Sequence, residues 1–331
     1  MAGSRDDDAL PGDLLRRRSE EAVRLLALRW LAQAREGCAR LDRDADEDAL
    51  HDFRVAVRRL RSCLRAYKPA LEDGPSKKRR ARLKEAAEAT NDGRDAEVQL
   101  AWVREHGEAL PASHRDGLAP LIDRLEQRRR EGYARARDEG AGAFAAVAPK
   151  LERSLSRYTV AVETDGVRPE RFGVACASAL REHAGALVDA LEAVSGPGDV
   201  AHAHRARIAA KRLRYLLEPI ADLAPGAPSA VKRLKGLQDA LGELHDLHVL
   251  AAELSPQPGC DRPSPALAEL RGRLQAEIAE RWAAIAADWI RPGNGRDRKG
   301  VRALARKVDE VAEHAEEIAG ASRKKGRNGR S

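Results

Sequence analysis

An eleven-residue pattern occurs twice in this chain, and that repetition narrows the possible folds more than any bulk property. His51-Asp52-Phe53-Arg54-Val55-Ala56-Val57-Arg58-Arg59-Leu60-Arg61 aligns with His204-Arg205-Ala206-Arg207-Ile208-Ala209-Ala210-Lys211-Arg212-Leu213-Arg214. A second set of matches follows each copy at nearly the same distance. Arg82-Leu83-Lys84 aligns with Arg233-Leu234-Lys235, Glu88-Ala89 with Asp239-Ala240, and Asp95 to Val98 with Asp246 to Val249. Two ordered matches at nearly one offset imply a duplicated unit of about 150 residues. Two copies are too few for a solenoid, so the expected architecture is a pair of packed antiparallel helical bundles related by a pseudo-two-fold axis.

The unit is expected to be all-α. Aromatic residues make up only 3% of the 331, against 43% hydrophobic and 34% charged. Helices packed through Ala and Leu have this profile, whereas sheets lean on aromatic and β-branched side chains. The periodicity predicts helices over about 13–42, 46–67, 76–105 (with a break at Asn91-Asp92-Gly93), 113–139 and 143–157. In the second half it predicts 170–194, 199–223, 229–254, 265–290 and 301–318. The expected division is an N-terminal half over 1–158, with 1–12 flexible, and a C-terminal half over 168–318. A linker joins them over 158–169, and 319–331 form a basic flexible tail. The four cysteines are scattered with no C-x-x-C pair, no apolar run reaches a membrane span, and the first residues lack a signal-peptide stretch. These features predict a cytoplasmic protein without disulfides, structural zinc or membrane contact.

The repeated helices carry the chemistry. At 100° per residue, Phe53, Val57, Leu60, Leu64 and Tyr67 form an apolar seam, with His51, Arg54, Arg58, Arg61 and Arg65 on the neighbouring face. That cationic stripe runs about 20 Å at 1.5 Å per residue. The second copy sets His204, Arg207, Lys211 and Arg214 beside Ala210, Leu213 and Leu217, with Glu218 standing where the first copy has Arg65. Arg59 and Arg212 belong to the same motif. Lys77, Arg80 and Lys84 open the next helix of the first half, and Lys232 and Lys235 that of the second, placing a further basic element beside each stripe. A solvated charged face would mix acids with bases, because like charges at i, i+4 repel by a few tenths of a kcal/mol. These stripes hold no carboxylate before Glu218, which suits an external polyanion.

The paired His-headed basic helices, followed by Leu234 to Val249 and its degraded copy Leu83 to Val98, resemble the CHAD family, the conserved histidine α-helical domain. The resemblance spans about residues 15–318. It implies a duplicated helical fold that binds long-chain inorganic polyphosphate in a basic central groove or pore. It assigns that role to His51, Arg54, Arg58, Arg61, His204, Arg207, Lys211 and Arg214, and implies a link to polyphosphate or other storage granules. No E-x-E-x-K strand of a triphosphate-tunnel domain is present, so the resemblance implies no triphosphate hydrolysis.

The residues point away from catalysis, cofactors and metals. No Gly-rich phosphate loop, nucleophile elbow or paired-carboxylate signature occurs. His245 and His248 lie at i, i+3 but lack a third ligand at suggestive spacing. Two alternatives remain open on the residues alone. A nucleic-acid backbone also suits Arg stripes, although the stripes lack aromatic stacking platforms. A helical scaffold associated with storage granules would bind through other surfaces and ignore the stripe charges.

Overall fold

A computed structural model describes residues 10–41, 48–71, 73–157, 169–255, 264–290 and 300–320. The N-terminal half holds α1 (Ser19–Arg40), α2 (Ala49–Ala66), α3 (Lys77–Glu88), α4 (Asn91–Glu108), the single turn α5 (Ala112–Arg115), α6 (Ala119–Arg135) and α7 (Ala141–Leu155). The C-terminal half holds α8 (Phe172–Glu192), α9 (Val200–Leu217), α10 (Ala227–Glu253), α11 (Pro265–Ile285) and α12 (Val301–Gly320). The protein is all-helical, as expected. Among the described residues no strand forms, and an isolated antiparallel bridge joins Arg18 to Arg171. No described helix is long and apolar enough to cross a membrane. Residues 158–168 of the expected linker, and residues 1–9 and 321–331 of the expected flexible ends, lie outside the described residues.

The apolar seam of α2 explains its position. Phe53, Val57 and Leu60 are fully buried, and Leu64 and Tyr67 nearly so; α2 packs on α1. Gly37 of α1 lets the pair close up, since a Cβ there would lie 2.7 Å from the backbone nitrogen of Phe53. Phe53 meets Phe144 of α7 edge to face at 5.2 Å, and Tyr67 tilts onto Phe172 of α8 at the same separation. In the second half Ala210, Leu213 and Leu217 bury the matching face of α9, which packs on α8 and α10. Buried side chains from both halves make one continuous core. Across the halves α2 packs on α9, α1 on α8 and α4 on α10.

Four expectations about the elements need correction. Asn91-Asp92-Gly93 is not a break but the first turn of α4, the interruption falling just before it at Ala89 and Thr90. Gly93 serves close packing instead: a Cβ on the facing Gly132 of α6 would lie 2.3 Å from its backbone nitrogen. The expected gap between helices ending at 139 and starting at 143 is closed by a π turn, Ala136–Gly140, so α6 and α7 run on without interruption. A π turn absorbs one extra residue without a loop. Finally, α9 stops at Leu217 and continues as a single 3-10 turn, Glu218–Ile220, because Pro219 lacks the amide that an α-helical turn needs. At the far end, the expected tail starts too early, since Ala319 is buried within α12.

Candidate functional site

Helices α2 and α9 bring parts of their stripes together. Lys211 on α9 feels the charges of Arg207 on its own helix and of Arg58 and Arg54 on α2, while Arg207 also feels Arg58. Arg54 is only 9% exposed. Burial, then repulsion from Arg58, draws its guanidinium down to about 10. Burial, then repulsion from Arg207 and Arg58, draws the Lys211 ammonium down to about 7 from an ordinary 10.5. Desolvation lowers Arg207 as well. Such costs are normally offset by paired acids. Here Arg58 donates to the Asn91 side-chain oxygen at 3.3 Å, but the buried Nε atoms of Arg54, Arg207 and Arg212, and Nδ1 of His204, have no hydrogen-bond partner. Buried polar atoms of this kind are costly unless a partner arrives.

Two carboxylates temper the cluster. Asp95 from α4 draws on Arg54 and Arg207, and Asp246 from α10 draws on Arg207 and Lys211. Desolvation raises Asp246 despite its cationic neighbours. His204 tilts against His245 of α10 at 4.9 Å. Burial, followed by repulsion from Arg207, lowers both imidazoles, His245 to about 4. The stripes are free of acid along their own helices, yet neighbouring helices supply acids that the stripe pattern alone does not reveal. Asp95 and Asp246 occupy matching repeat positions, which was the signal available in the sequence.

The flanks of the cluster are unequal. On one side Glu218 accepts from Arg59 Nε at 2.9 Å and lies 3.3 Å from Arg214 Nε. Arg59 also covers the Trp30 ring at 4.9 Å. On the other side Arg65 stands against Arg212, whose guanidinium is lowered by burial and then by that like charge. Here a depression of about 320 Å³ is lined by Arg61, Arg65, Lys68, Lys77, Arg80 and Lys84. Lys68 was missed by the sequence pattern, although it continues the step of three from Arg65 into the 3-10 turn after α2. Lys84 is partly engaged by Glu88 at 3.2 Å.

The remaining expected residues sit apart. His51 is exposed at the start of α2, in a separate depression shared with Asp52, Arg40 and Arg59. Lys232 and Lys235 are exposed on α10, with Lys235 bonded to Asp239 at 3.0 Å. His202 is held by the Asp199 carboxylate that caps α9, and His248 meets the Pro197 carbonyl at 2.7 Å.

The CHAD domain family model matches residues 21–255 of the chain. Among solved structures, the crystal structure of the CHAD domain from the plant Ricinus communis superposes with a TM-score of 0.63 at 20% identity, covering 91% of this chain and 93% of that one. PptA from Streptomyces chartreusis superposes with a TM-score of 0.53 at 21% identity, covering 90% of this chain and 98% of that one. No curated protein matches the sequence.

Proposed function

Because the chain belongs to the CHAD domain family, we propose that it binds long-chain inorganic polyphosphate, without acting on it chemically, in a basic groove between two halves related by a pseudo-two-fold axis. The observation that carries this reading is the cluster of Arg54, Arg58, Arg207 and Lys211, in which Arg54 is buried, the other three are part-buried, and the Nε donors of Arg54 and Arg207 have no partner. A chain of phosphates supplies closely spaced oxyanions that such donors match, and guanidiniums do so bidentately. The pattern of contacts across the halves supports the two-fold. In the repeat alignment Arg54 matches Arg207, Arg58 matches Lys211, Arg59 matches Arg212 and Arg65 matches Glu218. Exchanging the copies turns the Arg54–Lys211 coupling into Arg207–Arg58, and the Arg59–Glu218 pair into Arg212–Arg65; all four occur.

In this reading Glu218 closes one end of the groove, and the polyanion enters from the other. It runs from Lys77, Arg80 and Lys84 past Arg61 and Arg65 to the inner cluster. Arg59 and Arg214 are held in reserve by Glu218, His204 donates at the inner wall, and His51, Lys232 and Lys235 serve only an outer, screened field.

The test is binding of long-chain polyphosphate and of random duplex DNA at matched phosphate and salt. Polyphosphate should bind tighter, with affinity falling steeply as salt rises. Arg58→Glu and Lys211→Glu should each weaken it by at least roughly tenfold, the loss of one charge-assisted contact. Equal or better affinity for DNA would replace the assignment by nucleic-acid binding. Two chains bound per molecule, each sensitive to one substitution only, would refute the common groove.

A further inference from the structure

A further polar cavity carries charge opposite to that of the Arg/Lys cluster. It measures about 310 Å³ and lies where α4, α10 and α11 meet. Four carboxylates line it, from Glu105, Glu243, Asp246 and Glu277, and Arg281 is the one guanidinium among its lining residues. Arg281 is shared between Glu243 at 2.9 Å and Glu277 at 3.4 Å. Glu277 also accepts from the Trp102 indole at 2.8 Å. The cavity therefore keeps a negative excess in a protein whose net charge is +7.

Acidic surroundings alone would be an ordinary feature of a helix surface. Gln99 is different. It lines the cavity, is 2% exposed, and neither its amide oxygen nor its amide nitrogen has a hydrogen-bond partner. An amide buried this way costs about 1–3 kcal/mol, so a structure that retains it calls for a polar group to meet it. The rest of the lining says what kind. Val98, Leu247, Leu250 and the Trp102 ring form an apolar wall among the polar groups, and His106 stacks on that ring at 4.0 Å. Gln99 and Glu105 are separated along α4 by about 9 Å, from six steps of 1.5 Å. No group of three or more His, Cys, Asp or Glu among the described residues is arranged to hold a metal ion.

We infer that this cavity binds an aliphatic diamine or polyamine. One ammonium donates to the Gln99 oxygen and the nearby carboxylates, a methylene chain lies along the apolar wall and Trp102, and a second ammonium reaches Glu105. Aromatic faces and carboxylates together suit alkylammonium groups, while a small hydrated metal ion has no use for the apolar wall. The cavity shares Asp246 with the cationic cluster, but the inference does not rest on the polyphosphate reading.

Calorimetric titration of the full chain, free of polyphosphate and at low salt, tests the inference. The probes are 1,5-diaminopentane and spermidine, with pentylamine and magnesium chloride as comparisons and Nα-acetyl-lysinamide as the arm that reports a tethered lysine instead of a free amine. The expected result is one saturable site for the diamine, roughly tenfold tighter than for pentylamine or acetyl-lysinamide, as one charge-assisted contact predicts. Gln99→Leu should raise the melting temperature by removing a buried unmet amide, yet weaken diamine binding roughly tenfold. Glu105→Gln, at an exposed position, tests the far ammonium without touching the core. Magnesium binding as tightly as the diamine, acetyl-lysinamide binding as tightly as the diamine, or both variants binding like the native chain would overturn the inference.

Discussion

The proposed polyphosphate binding should be proton-linked above pH 7, through Lys211. Its ammonium is drawn down to about 7 in the free protein, chiefly by burial and then by Arg207, Arg58 and Arg54. In the unfolded chain it titrates in the ordinary range near 10.5. The unfolded state therefore holds more protons between those values, so this residue makes the free fold more stable as pH rises from 7 toward 10.5. Binding works in the opposite direction, because a polyanion beside Lys211 favours its charged form. At pH 8 the free protein carries only about 0.1 proton on this residue, and a bound chain that restores the ordinary range takes up about 0.9. Integrated from pH 7 to pH 9, the affinity should fall about fiftyfold. Arg54, at about 10, stays charged over that window. Burial and then Arg207 hold both His204 and His245 below the ordinary imidazole range, His245 at about 4. The assay is calorimetric titration at pH 8 in buffers of differing ionisation enthalpy, which reads protons taken up per chain bound. Lys211→Arg keeps the charge at all these pH values and should abolish the uptake while still binding. Uptake that is the same in the native chain and in Lys211→Arg would refute the reasoning, as would affinity that stays flat between pH 7 and 9.

The unequal ends of the cluster and the core cysteines each give a further test. Glu218→Gln breaks the pairs to Arg59 and Arg214, and should cost about 1–2 kcal/mol of stability in urea melts for a partly buried pair. The same change frees two guanidiniums, so polyphosphate should bind several-fold tighter with a steeper salt dependence; an unaltered salt slope would show that this end lies off the binding path. Burial pushes the thiols of Cys63 and Cys176 up to about 12 and about 11. Both should resist iodoacetamide at pH 8 in the native protein and react after denaturation, as mapped by mass spectrometry; rapid native labelling of either would mean that the α1–α2–α8 core opens readily.

What could be read along one helix was legible. The step of four and three that places Phe53, Val57, Leu60, Leu64 and Tyr67 on one face is a local property of the helix, and all five are buried. The same steps gave the stripe face of α2 and α9. What depended on a second element was not legible. Asn91 and Asp95 reach the stripe from α4, and Asp246 and His245 from α10; nothing in the stripe's own spacing calls for them. Likewise the periodicity ends one helix at 139 and starts the next at 143, whereas with α6 packed on α4 and α7 on α3 the helix runs on through a π turn.

The position that distinguishes the two copies shows how far a duplication constrains a site. A two-fold arrangement of identical helices would set Arg65 and its repeat counterpart against Arg212 and Arg59, giving like-charged pairs at both ends. Each such pair raises the cost of keeping a cationic cluster buried without a ligand. Replacing one member by Glu218 converts one end into an ion pair with Arg59, itself anchored on Trp30, and leaves the repulsion at the Arg65–Arg212 end. The repulsion thus stays where Arg61, Lys68, Lys77, Arg80 and Lys84 also gather. In the proposed reading, relief by an incoming polyanion is greatest at that end, which gives the charge pattern a direction of entry that a symmetric pair of repeats would lack.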